Sequence, residues 1–333
     1  MADALPTLPS AAPRRHRHPA ERRDGVIAPL LAPWCQWRPS PAMRATLWLH
    51  GAGLAAMAME PAGWPWVAAG LAGNHAVLGL VGMHPRSRML GPNLSRLPAS
   101  VAAGGAVALT FDDGPDPRVT PWVLDLLEAH GATASFFAIG ERAARHPALA
   151  REILRRGHSL ENHTHRHPLG FAAWSPAAMR REILAAQAAI AAAGGVAPRF
   201  FRPPAGLRSP LLDPALAGTG LDYVSWTRRG HDTLRTDPAA VLRRLTRGLA
   251  GGDILLLHDG NSAGGPDRAV VLRVLRPLLA RLGGLGLRAV SLPRALAAAP
   301  LAAAPLGPAD AAGAGAAPAG AAASPAPAAC ASP

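Results

Sequence analysis

From about residue 105 to 298 short apolar runs alternate with stretches of helical periodicity. "AVALTF" reads as a strand, and "TPWVLDLLEAHG" as a helix with Thr120 as N-cap, Pro121 in its first turn and Gly131 as its stop. "TASFFAIG", "HSLEN", "RFFR", "DYVSW", "DILLLH" and "RAVSL" read as further strands. Between them lie helical patterns over "PALAREILRRG", "SPAAMRREILAAQAAIAAAGG" (Ser175 capping, Pro176 following), "SPLLDPALAG", "DPAAVLRRLTRGLAGG" and "DRAVVLRVLRPLLARLGG". Such alternation with short links predicts an α/β fold, a parallel sheet of seven or eight strands covered by helices, open or closed into a barrel.

Two apolar runs precede this region, "ATLWLHGAGLAAMAM" (45–59) and "WVAAGLAGNHAVLGLVGM" (66–83), separated by "EPAGWP". Each is at the short end of the roughly 17–25 residues that cross a bilayer. Trp48, Trp64 and Trp66 suit interfacial positions. The expected element is an apolar helical hairpin over 43–84 acting as a membrane anchor. His50, Asn74 and His75 keep open the alternative of a helical pair buried on the soluble domain. Arg38 and Arg44 flank one end and Arg86, Arg88 and Arg96 the other, while the intervening loop carries only Glu60. A hairpin therefore places both flanks on the cytoplasmic side, whereas a single span places the downstream domain outside. Residues 1–42, rich in Pro, Arg and Ala, are expected to form a disordered basic arm without a cleavable signal peptide. Residues 300–333 are expected to be a disordered Ala/Pro-rich tail.

Composition changes this picture little. The 333 residues are 49% hydrophobic, which supports a core, with 35 Gly and 35 Pro. All 34 basic residues are Arg, against 21 acids, for a formal charge of +13. No basic stripe is interleaved with aromatics, so nucleic acid is not an expected partner. Cys35 and Cys330 make neither a disulfide framework nor a zinc-ligand spacing.

In parallel α/β folds ligands gather at the carboxyl ends of the strands, and the polar residues of this chain fall at those ends. Asp112 and Asp113 end the first strand. "HSLENHTHRHP" follows the second helix, "FRPPAG" holds the end of the fourth strand, "SWTRRGHDT" follows the fifth and "LLLHDG" ends the sixth. His163 and His167 are four apart and share a face if they lie on a helical turn, whereas pairs with His165 need a strand-like spacing. Two His and one carboxylate, with water completing the shell, make a common catalytic zinc site. One aspartate then ligates the cation and the other is left as a general base beside a metal-bound water; the pattern alone does not say which. Arg202 either snorkels to solvent or orients a carboxylate. His258, ending "ILLLH", is either a satisfied core residue or a general acid steadied by Asp232 or Asp259.

"TFDDGP", "HTHRHP", "FRPPAG", "WTRRGHDT" and "ILLLHDG" occur in the order found in the polysaccharide deacetylase family, the NodB-homology or carbohydrate esterase family 4 domain, which residues 105–298 resemble. The resemblance implies a distorted (β/α)7-type barrel and a hydrolase that removes N-acetyl or other N-acyl groups from amino sugars. It implies a divalent cation, Zn2+ first, with Co2+, Mn2+ or Ni2+ as alternatives. Carried over by position, it implies Asp112 as general base, Asp113, His163 and His167 as metal ligands, Arg202 as the group holding the base, His258 as general acid and Asp232 as the residue tuning it. His165 then occupies a variable position. One departure is Ala205, where the family carries an aromatic after "RPP": the backbone N–H that helps an oxyanion survives, and the groove wall does not. The implied partner is an acylated amino-sugar glycan or a glycolipid, at the bacterial inner membrane through residues 45–83. Alternatives are a membrane-facing deacetylase or deformylase of a lipid-linked sugar, and an inactive carbohydrate-binding relative.

Overall fold

Strand β1, Ala106–Asp112, is buried along its whole length, yet its two faces meet different surroundings. Val107, Leu109 and Phe111 pack with residues of the covering helices, among them Val123, Leu127, Val274 and Leu278. Ala106 and Ala108 join Phe137, Phe200, Trp226, Ile254 and Leu256 on the inner side. A strand period of two requires this split, and it puts Thr110 and Asp112 on the inner side as well.

The structure is a computed structural model that describes residues 36–260 and 269–297. Of the arm expected over 1–42, residues 1–35 lie outside the described residues, as do the tail over 300–333, Cys35 and Cys330; residues 36–42 are described, and Pro41 and Ala42 already belong to a helix. The other strands are β2 Ser135–Ala138, β3 Ser159–Asn162, β4 Phe200–Phe201, β5 Asp222–Tyr223, β6 Arg228–Arg229, β7 Ile254–His258 and β8 Arg288–Val290. Every pairing is parallel, in the order β5-β4-β3-β2-β1-β7-β6, with β8 also beside β1. The end strands β5 and β6 are separated in sequence only by residues 224–227, so the sheet curls until one short crossing bridges its edges. That segment is held from both sides, Ser225 N–H donating to Leu94 O and Thr227 N–H to Ile254 O. The result is the curled, distorted barrel expected of the α/β pattern.

Some local expectations change. The strand expected over "DYVSW" shortens to two residues, and β6 consists of two arginines with no apolar pattern to announce it. Ser175 caps its helix, accepting from Ala178 N at 3.3 Å. Thr120 does not cap: it is already helical, and its hydroxyl accepts from Asp116 N and donates to Asp259 Oδ2 at 2.5 Å.

Before the barrel, helices Pro41–Met59 and Trp64–Met83 are joined by the turn Pro61–Gly63. Thr46 Oγ1 donates to Asn74 Oδ1 at 3.2 Å, the Nε2 atoms of His50 and His75 lie 3.2 Å apart, and Gly53 packs against Val67. From Thr46–Asn74 at one end to Gly53–Val67 at the other, residue numbers rise on one helix as they fall on the other, so the pair is antiparallel. The pair is not buried against the barrel. Its foot alone docks, through the cluster of Met43, Leu78 and Leu90 and the bond from Arg208 N to Gly82 O at 3.1 Å. By length and composition, Pro61–Met83 is the stretch among the described residues long and apolar enough to cross a membrane.

Candidate active site

The register of β1 with β7 sets Asp112 directly beside His258, and the register with β2 sets it beside Phe137. Arg202 follows β4, and its guanidinium is fully buried inside the curl. Its Nη1 donates to Asp112 Oδ1 at 2.6 Å and to Thr110 Oγ1 at 3.0 Å; Nη2 donates to Ser225 O at 3.0 Å and Nε to Val224 O at 3.3 Å. The guanidinium lies 4.0 Å from the centroid of the Phe137 ring. A buried guanidinium persists only with its donors met and its charge paired. Snorkelling is thereby overturned: Arg202 ties the crossing segment between β5 and β6 to the carboxylate ending β1. Thr110 completes the arrangement, passing its own proton to Leu255 O at 2.7 Å so that its oxygen accepts from Arg202.

Asp113 turns the other way. Its Oδ1 lies 3.3 Å from His163 Nε2 and 3.2 Å from His167 Nε2. One donor atom from each residue falls within 4.8 Å of the others. The histidines are brought together by an irregular loop and not by the helical turn their spacing suggested. Thr164 and His167 adopt φ of 65° and 56°, and Asp113 itself 74°. Positive φ at non-glycine residues is strained and persists where the surroundings over-determine it. His163 Nδ1 lies 2.7 Å from Arg202 O. A carbonyl only accepts, so Nδ1 carries a hydrogen and Nε2 is the atom turned to Asp113. Burial opposes ionisation of Asp113, but the hydrogen bond from His163 and the charges of His163, His258 and His167 hold its carboxyl well below the usual range. An ionised carboxylate with two converging imidazole nitrogens is a donor set that fits Zn2+ or a neighbouring divalent ion. His165 stands apart, against Gly140.

On the far side, His258 Nδ1 is 2.9 Å from Asp232 Oδ1, while Asp232 Oδ2 accepts from the His258 backbone N at 2.8 Å. That double engagement fixes the ring and leaves Nε2 for the cleft. Burial disfavours the imidazolium, but the Asp232 bond and charge, with Asp112 and Asp113, outweigh it and raise the His258 pKa. Asp259, the other candidate partner, is turned to Thr120 and is pushed up to about 7 by burial.

Two features carried no clear sequence signal. Arg142, at the start of the helix after β2, donates from Nη1 to Asp113 O at 2.7 Å and to Gly260 O, tying the end of β1 to the end of β7. Ala205 is exposed at φ 55°, and beside it Gly206 has no alternative: a Cβ there would lie 2.0 Å from the Trp226 ring.

The polysaccharide deacetylase profile matches residues 100–224, spanning both aspartates, the histidine loop and Arg202. A peptidoglycan-N-acetylglucosamine deacetylase of Bacillus cereus is 34% identical over 192 residues, 57% of this chain and 87% of that protein. A chitooligosaccharide deacetylase of a Bradyrhizobium species is 38% identical over 165 residues, 49% of this chain and 75% of that one. Among solved structures, the family 4 carbohydrate esterase from Streptomyces lividans in complex with acetate superposes with a TM-score of 0.51 at 34% identity, over 56% of this chain and 91% of that chain. A peptidoglycan N-acetylglucosamine deacetylase in complex with 4-naphthalen-1-yl-N-oxidanyl-benzamide gives 0.55 at 29% identity, over 61% and 91%. Sequence, fold and relatives converge: the chain belongs to the polysaccharide deacetylase family.

Proposed function

We propose that this chain hydrolyses the N-acetyl amide of an amino-sugar glycan, releasing acetate and leaving a free amine. Asp113 Oδ1, His163 Nε2 and His167 Nε2 would hold a divalent cation, Zn2+ first. The observation that carries the reading is the placement of this donor set between two buried pairs, Asp112–Arg202 and His258–Asp232, at one rim of the curl. When bound, the cation supplies Lewis-acid polarisation of the acyl oxygen and a lowered pKa for water.

The residues divide the remaining work. Arg202 occupies Asp112 Oδ1, so Oδ2 is the atom left to take a proton from water as its oxygen adds to the acyl carbon. The backbone N–H of Ala205, an exposed residue at φ 55°, is assigned to the developing oxyanion. His258 Nε2 gives its proton to the amide nitrogen as the C–N bond breaks. The water's oxygen and second hydrogen leave in the carboxylic acid, and solvent exchange takes the proton from Asp112 and returns one to His258.

The test pairs metal content with turnover. Asp113→Ala and His163→Ala are expected to lose tight zinc binding in equilibrium dialysis, while Asp112→Asn keeps zinc and releases no acetate from N-acetylglucosamine oligomers. Unchanged zinc content in both ligand variants would overturn the assignment. The exposed hairpin favours a second reading of the substrate, a lipid-linked amino sugar at the bacterial inner membrane.

A further inference from the structure

The hairpin at 41–83 does something the deacetylase chemistry does not require. Its helices are 19 and 20 residues long, about 28–30 Å at about 1.5 Å per residue, which matches a hydrocarbon core of about 30 Å. Apolar side chains face outward all round: Trp48 is 79% exposed, Leu54 70%, Trp66 83% and Leu80 68%. Its polar groups face each other. Thr46 bonds Asn74 across the seam, and His50 Nδ1 donates to Thr46 O at 2.8 Å, which leaves His50 Nε2 to accept from His75 Nε2. Gly53 lets Val67 approach where a Cβ would stand 2.9 Å from it. Polar pairs and small residues at the seam, with lipid-compatible side chains outside, are how helices associate in a bilayer. The first helix alone falls short as a span, and antiparallel pairing supplies the reason it need not span alone.

Charge gives the orientation. Arg38, Arg44, Arg86 and Arg88 flank the foot in the sequence, and the only formal charge between residues 45 and 83 is Glu60 at the tip. By the positive-inside bias the foot is cytoplasmic, and the foot is where the barrel docks. It docks at the catalytic rim. Gly82 binds Arg208, in the loop that runs from Arg202 through Ala205. Asn93 donates to Pro85 O and Ser87 O just after the second helix and accepts from Ser225 Oγ at 2.8 Å; the Ser225 carbonyl holds Arg202.

We infer that the hairpin crosses the bilayer as a pair, and that the site opens onto the cytoplasmic leaflet and takes an N-acylated amino sugar carried on a lipid of that leaflet. The substrate part rests on the deacetylase reading above; the topology does not. Such a substrate has to be made before export, by a transferase that joins an N-acyl amino sugar to the lipid on the same side.

The full chain is tested in a bacterial inner membrane and in phospholipid vesicles. Alkaline phosphatase fused to the C-terminus is expected to be inactive and a green fluorescent reporter at the same place fluorescent; an active phosphatase overturns the orientation. Zinc-loaded protein in vesicles is expected to deacetylate a polyprenyl-phosphate-linked N-acetylglucosamine at least about tenfold more efficiently than soluble N-acetylglucosamine oligomers, because enzyme and substrate share a surface. A variant with Trp48→Gln, Leu54→Gln, Trp66→Gln and Leu80→Gln, which leaves the foot intact, is expected to leave the membrane and lose that preference while keeping activity on the soluble oligomers. Equal efficiency on both substrates overturns the lipid-linked assignment. Extraction of the wild-type chain by salt as a stable lipid-free dimer overturns insertion, since a second copy then covers the helices. Turnover of neither substrate overturns the deacetylase reading, while the reporters still read the topology.

Discussion

Asp112 and Asp113 are adjacent in the chain and separated by their partners. The strand period turns Asp112 into the curl, onto Arg202, and the positive φ of Asp113 swings it to the histidine loop. Arg202→Met is expected to do two kinds of damage. It leaves a buried carboxylate unpaired, a loss on the order of 3–5 kcal/mol in stability, and it frees Asp112 from its orientation. Denaturant unfolding and acetate release measure these separately. Asp232→Asn bears on the acid. Activity that needs protonated His258 is lost as pH rises through that pKa, and Asp232 raises it. The variant is therefore expected to move the alkaline limb of the kcat profile to lower pH while zinc content stays unchanged.

Among the elements, β3 carries a pH-sensitive buttress at its entrance. His158 Nδ1 accepts from Ala134 N at 3.1 Å, and the ring packs edge-on to Phe136. Burial, then the nearby Arg156 charge, lowers its pKa to about 4. A lowered folded pKa means that the stabilisation is full above the ordinary value near 6.5 and is lost as pH falls from there towards 4. At about 1.4 kcal/mol per unit the loss is up to roughly 3 kcal/mol. His158→Gln is expected to flatten the acid side of a stability-versus-pH curve. At this scale the chain was readable where periodicity runs long: β1, β7 and the helix Pro176–Gly194 lie close to where the pattern puts them. It was unreadable at β6, two arginines whose strand pairing comes from β7. The helical turn considered for 163–167 is an irregular loop, because its left-handed residues leave no trace in an i, i+4 spacing.

For the molecule as a whole, a cation held by Asp113, His163 and His167 would link the site to global stability. At zinc about 100 times above its Kd, binding would add about 2.7 kcal/mol to unfolding. Chelation is expected to lower Tm and abolish activity, with both restored by zinc, and Asp113→Ala is expected to show no zinc-dependent change in Tm. The hairpin adds a second whole-molecule property, since its foot and the catalytic rim share Gly82 and Arg208.

By itself the sequence determined the α/β class, the alternation that lays strands side by side, and the set of groups at their carboxyl ends. These depend on residues close together in the chain, where side-chain period is decisive. Only the tertiary structure decided between the two roles open to Arg202, chose Asp232 over Asp259 as partner of His258, brought in Thr110, Ser225 and Arg142, and paired the apolar helices. Arg202 and Asp112 are 90 residues apart and meet through sheet register. No local pattern encodes such a meeting, because it arises from how the three strands between them and one short crossing close the curl.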